Sequence, residues 1–289
     1  MPTKGEKDHI TGQETTGHEW DGIKELNTPL PKWWVYVFYA CIIFSIVYMI
    51  LYPAIPTLSG YTEGLLGWDR REELREEVQQ AKAAQSEYVQ QVKATELNKI
   101  PENNDLLNFA MAGGESAFAD NCAPCHGQGG AGRPGGYPTL ADDAWIWGGS
   151  IDEIHKTIQY GVRNEHDNSR ASMMPTFGNI LEDNQIDQVA TYVLSLSGTV
   201  EDSEAAEKGR QIFAQNCVAC HGPNGKGNPA LGAPNLTDAI WLYGGEKTDL
   251  VSQIQQPQHG KMPAWGGRLD DETVKMLAVY VYSLGGGVE

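Results

Sequence analysis

Two five-residue strings, Cys122-Ala123-Pro124-Cys125-His126 and Cys217-Val218-Ala219-Cys220-His221, constrain this chain more than anything else in it. Two thiols at this spacing can add across the two vinyl groups of a haem. The adjacent histidine then lies under the iron, so C-x-x-C-H reads as c-type haem attachment. The chain has five cysteines, and four belong to the two strings. The fifth, Cys41, lies in an apolar run, where a free thiol behaves as a small hydrophobe. No pair remains for a structural disulfide. A zinc site would need each cysteine pair to find two further ligands at metal-site spacing, and a thioredoxin-like dithiol would need a βαβ setting, of which there is no sign. Two covalently bound haem c groups are therefore expected, on Cys122 and Cys125 and on Cys217 and Cys220, with His126 and His221 as proximal iron ligands.

The strings sit inside a longer repeat. Gly114 and Phe118 match Gly209 and Phe213 at an offset of 95, as do the strings themselves. Pro138, Leu140, Trp145, Gly148 and Gly149 match Pro234, Leu236, Trp241, Gly244 and Gly245 at 96. Met174-Pro175-Thr176-Phe177-Gly178 then matches Met262-Pro263-Ala264-Trp265-Gly266 at 88, and Tyr192 matches Tyr280 at the same offset. The drop of eight reflects extra polar residues around Arg163 to Arg170, which read as a surface loop. Two domains follow, 106–198 and 203–286. Each is small for a self-sufficient core, so a haem held in place should supply much of the stability.

Helical spacing of apolar residues predicts helices over Glu204–Asn216, Ile151–Ile158, Thr248–Ile254, Asp183–Leu196 and Asp270–Leu284, the last two with Asp at the start. Long Gly-, Pro- and Asn-rich stretches such as 127–138 and 222–234 separate them.

Seven methionines compete for the sixth iron position. A thioether there favours reduced iron and raises the potential. Met173 and Met174 are adjacent, but only Met174 precedes proline and aligns with Met262, so Met174 and Met262 are the expected axial ligands. Met111 and Met276 have no counterparts and read as packing residues; Met49 lies in the apolar run and Met1 is the initiator. The default pairing is within each repeat, His126 with Met174 and His221 with Met262. Because the linker 198–202 is short, an exchange of methionines between the repeats stays open. His155, His166 and His259 lack repeat partners and read as surface or structural residues, while His9 and His18 fall in a polar leader.

Trp33 to Tyr52 carries no charge and is bracketed by Pro31 and Pro53. About 20 apolar residues suffice to cross a bilayer as a helix. Trp33, Trp34 and Tyr36 mark one interface, and Tyr48 and Tyr52 the other. The run starts too late and is too long for a cleaved signal, and no small-residue cleavage site follows it. A cytoplasmic leader (1–32), a transmembrane helix (33–53) and a periplasmic helical stalk (54–105) rich in Glu, Arg, Lys, Gln and Ala are expected ahead of the haem domains. Lysines before the run and Arg70 and Arg71 after it orient it only weakly. Haem attachment on the outer face of the bacterial inner membrane decides the orientation. The net charge of −17, from 38 acidic and 21 basic residues, excludes nucleic acid as a natural partner and would attract a basic face on a redox partner.

Few helices, long loops and His/Met spacing resemble class I cytochromes c. That resemblance implies a mainly α fold, one transmembrane helix followed by two tandem class I cytochrome c domains, and Pro138 and Pro234 carbonyls accepting hydrogen bonds from the proximal histidines. Trp145, Trp147, Trp241 and Tyr243 read as packing near the haem edges or propionates, and core packing alone explains them equally well. The run Trp20-Asp21-Gly22-Ile23-Lys24-Glu25-Leu26-Asn27-Thr28-Pro29-Leu30-Pro31-Lys32-Trp33-Trp34, leading into the anchor and the two haem domains, resembles the dihaem subunit III of cbb3-type cytochrome c oxidases. The resemblance implies an electron-transfer subunit of a proton-pumping oxidase in the bacterial inner membrane, with its haem domains in the periplasm. Its partners would be a donor cytochrome c, a monohaem cytochrome c subunit, the haem–copper catalytic subunit that reduces oxygen to water, and membrane lipid. Two axial ligands per iron leave no oxygen-reducing site on this chain. A tethered autonomous carrier and a dihaem peroxidase stay open as rivals; the leader speaks against the first and the two Met-Pro loops against the second.

Overall fold

The computed structural model describes residues 5–199, 203–238 and 240–285 and divides into two units, Met1–Ala83 and Ala84–Glu289. In the first unit the leader contains an antiparallel hairpin, β1 (Thr15–Trp20) and β2 (Ile23–Leu26), with Trp20 opposite Ile23. Asp21 and Gly22 both take positive φ, 51° and 83°. Two left-handed residues in a two-residue loop make a turn whose twist matches the strands. The polar-leader reading overlooked this hairpin, although Asp-Gly between β-formers was its signal.

The apolar run forms α1 (Lys32–Leu51), with mean hydropathy 2.3 and no residue buried. At 1.5 Å per residue its 20 residues span about 30 Å, the thickness of a bilayer's hydrocarbon core. Apolar side chains surround it on every side, as suits lipid rather than one packed face. It ends two residues short of the expected 53, because Pro53 disfavours helical geometry at Tyr52, which is extended (φ −117°, ψ 159°). Tyr48 and Tyr52 stack at that end with ring centroids 4.7 Å apart. The charged segment that follows is one long helix, α2 (Arg70–Ala94), which begins in the first unit and ends in the second.

The second unit contains α3 (Asn104–Asn121), the short turn α4 (Ala123–His126), α5 (Ile151–Tyr160), α6 (Asp183–Leu196), α7 (Glu204–Asn216), the short turn α8 (Val218–His221), α9 (Lys247–Gln255) and α10 (Asp271–Ser283). Side-chain caps fix the starts. Asn103, Ser150, Ser203 and Asp270 accept from backbone amides one to three residues into their helices, and Glu182 and Glu246 close capping boxes. Each such cap contributes about 1 kcal/mol. The residues expected at 200–202 and Gly286 lie outside the described residues.

The helices do not pair within repeats. The opening helix of the first repeat, α3, packs against the closing helix of the second, α10, and α7 packs against α6. One core joins Leu106, Ala110, Phe118 and Cys122 to Ile151, Ile154 and Ile158 of α5 and to Val274, Leu277 and Val281 of α10. The other joins Ile186, Val189 and Val193 of α6 to Phe213 of α7 and to Leu250 and Ile254 of α9. Both crossings are built alike. Gly114 lies against the Met276 carbonyl and Tyr280, and Gly209 against the Gln188 carbonyl and Tyr192; a Cβ at either glycine would collide with that backbone. The Phe118–Tyr280 and Tyr192–Phe213 rings each meet at 5.3 Å between centroids.

The expected division at 198/203 therefore describes the repeats in sequence, while each packed body is composite. The reason is local. Only residues 197–203 join α6 to α7, and helices joined this closely pack as neighbours. With α6 committed to α7, α10 is left for α3.

Candidate haem sites

Both C-x-x-C-H strings follow an opening helix and turn back sharply. The Cys122 amide donates to the Phe118 carbonyl at 2.8 Å, and the His126 amide to the Cys122 carbonyl at 2.9 Å. Cys217 to Phe213 and His221 to Cys217 repeat these bonds at 2.8 and 2.9 Å. All five cysteines are free thiols. Burial, with the neighbouring cysteine second, pushes the Cys122 and Cys217 thiols up to about 11, so both stay protonated near neutrality.

The histidines are held as the resemblance implies. His126 Nδ1 lies 3.1 Å from the Pro138 carbonyl, and His221 Nδ1 lies 3.2 Å from the Pro234 carbonyl. Burial lowers both imidazole pKa values, and the proline carbonyl partly offsets it. A neutral ring whose Nδ1–H donates to a carbonyl presents its Nε2 lone pair for ligation. Beside the first site the Trp145 Nε1 is buried with no hydrogen-bond partner. An orphaned buried donor is costly, and a haem propionate is an acceptor that would satisfy it. Unpaired thiols at vinyl spacing, histidines fixed with Nε2 free, and an unmet indole N–H together fit a covalently attached haem.

The methionine loops are exchanged with the helices. Met262 packs onto the core that contains Cys122, and Met174 onto the core beside Cys217, Val218 and Trp241. Backbone bonds stitch the Met262 loop into the first repeat. Val162 and Met262 exchange amide-to-carbonyl bonds at 2.9 Å each, Trp265 donates to the Ile158 carbonyl at 3.1 Å, and Gly266 donates to the Gln159 carbonyl at 3.0 Å. Asn164 Nδ2 adds a bond to the Met262 carbonyl at 2.8 Å. The methionine loops are thus set across the repeats, Met262 on the core that contains Cys122 and Met174 on the core beside Cys217. Met173 is 64% exposed, and Met276 is buried at the α3–α10 crossing.

The insertion around Arg163 to Arg170 is not merely a surface loop. Its middle is exposed, but its ends turn inward, and the Arg170 side chain is only 9% exposed. Arg170 pairs with Glu153 and donates to Thr157 Oγ1 at 3.0 Å. Arg163 and Arg170 both lie over the Trp147 ring, at 5.6 and 5.4 Å. Sequence reading missed these residues because the second repeat has no equivalent segment to align with them.

Three family descriptions match in succession: the N-terminal domain of cytochrome oxidase-cbb3, FixP, over residues 12–59; cytochrome c over 111–197; and cytochrome c oxidase, cbb3-type, subunit III, over 204–281. A cbb3-type cytochrome c oxidase subunit CcoP of Azospirillum brasilense is 53% identical over 291 residues, covering 98% of each chain. The subunit FixPc of Rhizobium leguminosarum bv. viciae is 49% identical over 281 residues, covering 97% of this chain and 98% of the relative. The subunit FixP of Bradyrhizobium diazoefficiens is 50% identical over 291 residues, covering 99% and 100%. The chain belongs to the CcoP/FixP family of cbb3-type cytochrome c oxidase subunits. As a family member it has tandem cytochrome c domains, which imply covalently bound haem c, behind a membrane-anchoring apolar helix.

Proposed function

We propose that this chain carries two haem c groups and is the electron-transfer subunit of a proton-pumping cbb3-type cytochrome c oxidase. In this reading it accepts electrons from a donor cytochrome c and relays them through the monohaem subunit to the haem–copper subunit that reduces oxygen to water. The observation that carries it is the matched construction of the two bodies, each with a C-x-x-C-H turn, a histidine fixed by a proline carbonyl and a Met-Pro loop. Bound there, haem c supplies reversible one-electron transfer.

The protein's residues do the rest. Cys122 and Cys125 would hold one group, and Cys217 and Cys220 the other. His126 with Met262, and His221 with Met174, would be their iron ligands. Pro138 and Pro234 fix the ring orientation and basicity of the histidines. With a histidine and a methionine from the protein at each iron, no site would be left open to oxygen, and the chain would serve the reaction without catalysing it.

The anchor α1 crosses the bacterial inner membrane once, with the leader cytoplasmic and the haem bodies periplasmic. Lys4, Lys7, Lys24 and Lys32 on the leader side agree with the rule that basic residues stay inside. The net charge of −17 accelerates encounter with a donor that presents a basic face.

Purification through a tag on this chain in mild detergent tests the reading. Haem b signals and a large multi-pass subunit accompanying two c haems per chain are expected. A lone chain with only c-type haem would instead indicate an autonomous tethered carrier.

A further inference from the structure

One arginine lies between the two methionine loops. Arg163 follows α5 in the left-handed region, φ 50°. Its Nε donates to the Ser172 carbonyl at 2.9 Å, and its Nη1 to the Gly260 carbonyl at 3.0 Å. Ser172 stands two residues before Met174, and Gly260 two residues before Met262. The two carbonyls are therefore equivalent positions of the repeat, related by the same offset of 88 as the methionines. The surrounding contacts are also paired across the repeat: Trp147 lies against Gly232, and Tyr243, its counterpart at 96, lies against Gly136, the counterpart of Gly232. Arg163 has no such counterpart, and one guanidinium serves both loops.

Its charge is uncompensated. Among the described residues no carboxylate pairs with Arg163, whereas Arg170, which also lies over the Trp147 ring, is paired with Glu153. Burial lowers the Arg163 pKa from its usual value, yet a guanidinium remains protonated in proteins. A partly buried cation without a carboxylate partner costs stability, so its retention here calls for a reason. Burial, and after it this charge, lowers the pKa of His259.

We infer that Arg163 is a positioning residue common to both haem sites: it ties the Met174 and Met262 loops into one unit and places a single positive charge beside both, so that the two haem potentials are set together. The inference rests on Met174 and Met262 being the axial ligands. A nearby positive charge favours the reduced iron, which carries one positive charge fewer. Two rigid hydrogen bonds from one planar fork hold the loops in a way that a lysine ammonium does not.

The test uses the full chain in detergent, with covalent haem content checked. R163Q and R163K are compared with the unsubstituted chain by redox titration of both c haems. In R163Q both midpoint potentials should fall together, by up to about 59 mV, a tenfold change in each one-electron equilibrium. In R163K both should fall by less, since charge is kept and the fork is lost. R210Q, which removes an exposed arginine paired with Glu207 on α7, controls for the loss of one positive charge and should leave both potentials nearly in place. If in either Arg163 variant one haem moves alone, or neither moves, the inference is overturned; should R163Q fail to load haem, R163K decides by the same criterion. The charge-transfer band of methionine sulfur on ferric iron, read first in the unsubstituted chain, separates the two failures. Its absence overturns the ligand assignment and the Arg163 inference with it, whereas its presence alongside uncoupled potentials overturns the Arg163 inference alone.

Discussion

The body that holds Cys122 and the body that holds Cys217 follow one plan and are braced unequally. In the first, residues ahead of the repeat join the core: Val92 and Ile100 are fully buried, and Tyr88 stacks on Phe109 at 5.2 Å. Lys275 of α10 donates to the carbonyls of Val92, Lys93 and Thr95, at 3.2, 2.9 and 2.8 Å, and so caps the end of α2. The Met262 loop is further held by Val162 and Asn164. In the second body, the buried core comes from α6, α7, α9 and the turn at Phe177, with Leu236 and Trp241 packed against it. Duplicated sequence therefore gives equivalent methionine loops in unequal frames. The inserted residues of the first repeat are spent on bracing the methionine of the second.

The largest effect should come from breaking the exchange itself. In a chain carrying Cys122→Ser and Cys125→Ser, only the haem on Cys217 and Cys220 should remain covalently bound. Met174→His should then lower its potential by well over a tenfold change in the reduction equilibrium, while Met262→His should leave it nearly unmoved. Redox titration reads both, and the reverse pattern would restore pairing within each repeat.

Next in size are the cores. Leu277→Ala and Ile186→Ala each remove a fully buried side chain, at about 2–5 kcal/mol. Hydrogen exchange should place the first loss in α3, although Leu277 lies more than 150 residues away in sequence, and the second in α7. Loss confined to the mutated residue's own repeat contradicts the composite bodies.

Asn164→Ala should cost about 1–2 kcal/mol, because it removes one hydrogen bond each from the Tyr160 and Met262 carbonyls, the second of which keeps the Val162 amide. On warming, the methionine–iron band of the first haem should fade before that of the second, inverting the order that the unequal bracing predicts for the unsubstituted chain. An unchanged order would remove Asn164 from the brace.

The smallest effect concerns His155 on α5. Burial, then Lys275, lowers its pKa, with Asp152 and Asp271 opposing. A histidine whose folded pKa lies below the unfolded value near 6.5 contributes stability that is fully present above that value and is lost as pH falls through the folded pKa. Urea unfolding of the first body should therefore weaken with acidification across that window, and His155→Gln should flatten the slope. An equal slope in the variant would assign the acid sensitivity elsewhere.

Much of the site was legible because the chemistry demands fixed spacing. C-x-x-C-H identifies its own histidine, the repeat separates Met174 from Met173, and an aspartate at the helix start marks Asp270 as a cap. The exchange was not legible. Repeats align equally well whichever copy their helices pack against, and what decides between them is the short α6–α7 connection, a property of distance rather than of residue type. Arg163 was hidden for a related reason: comparison within the repeat directs attention to residues that recur, and the residue joining the two copies occurs once. The hairpin in the leader was hidden by its polarity, since its strands face little core and only the Asp21-Gly22 turn announces it.

The crossing of α3 with α10 and of α6 with α7 also bears on descent. Two domains strung along a chain are ordinarily separable parts, open to deletion, grafting or independent drift. Here a gene cut between the copies would leave each product with an attachment turn lacking its closing helix and a Met-Pro loop lacking the core it packs against. A change in either copy is therefore exposed to selection through the packing of the other.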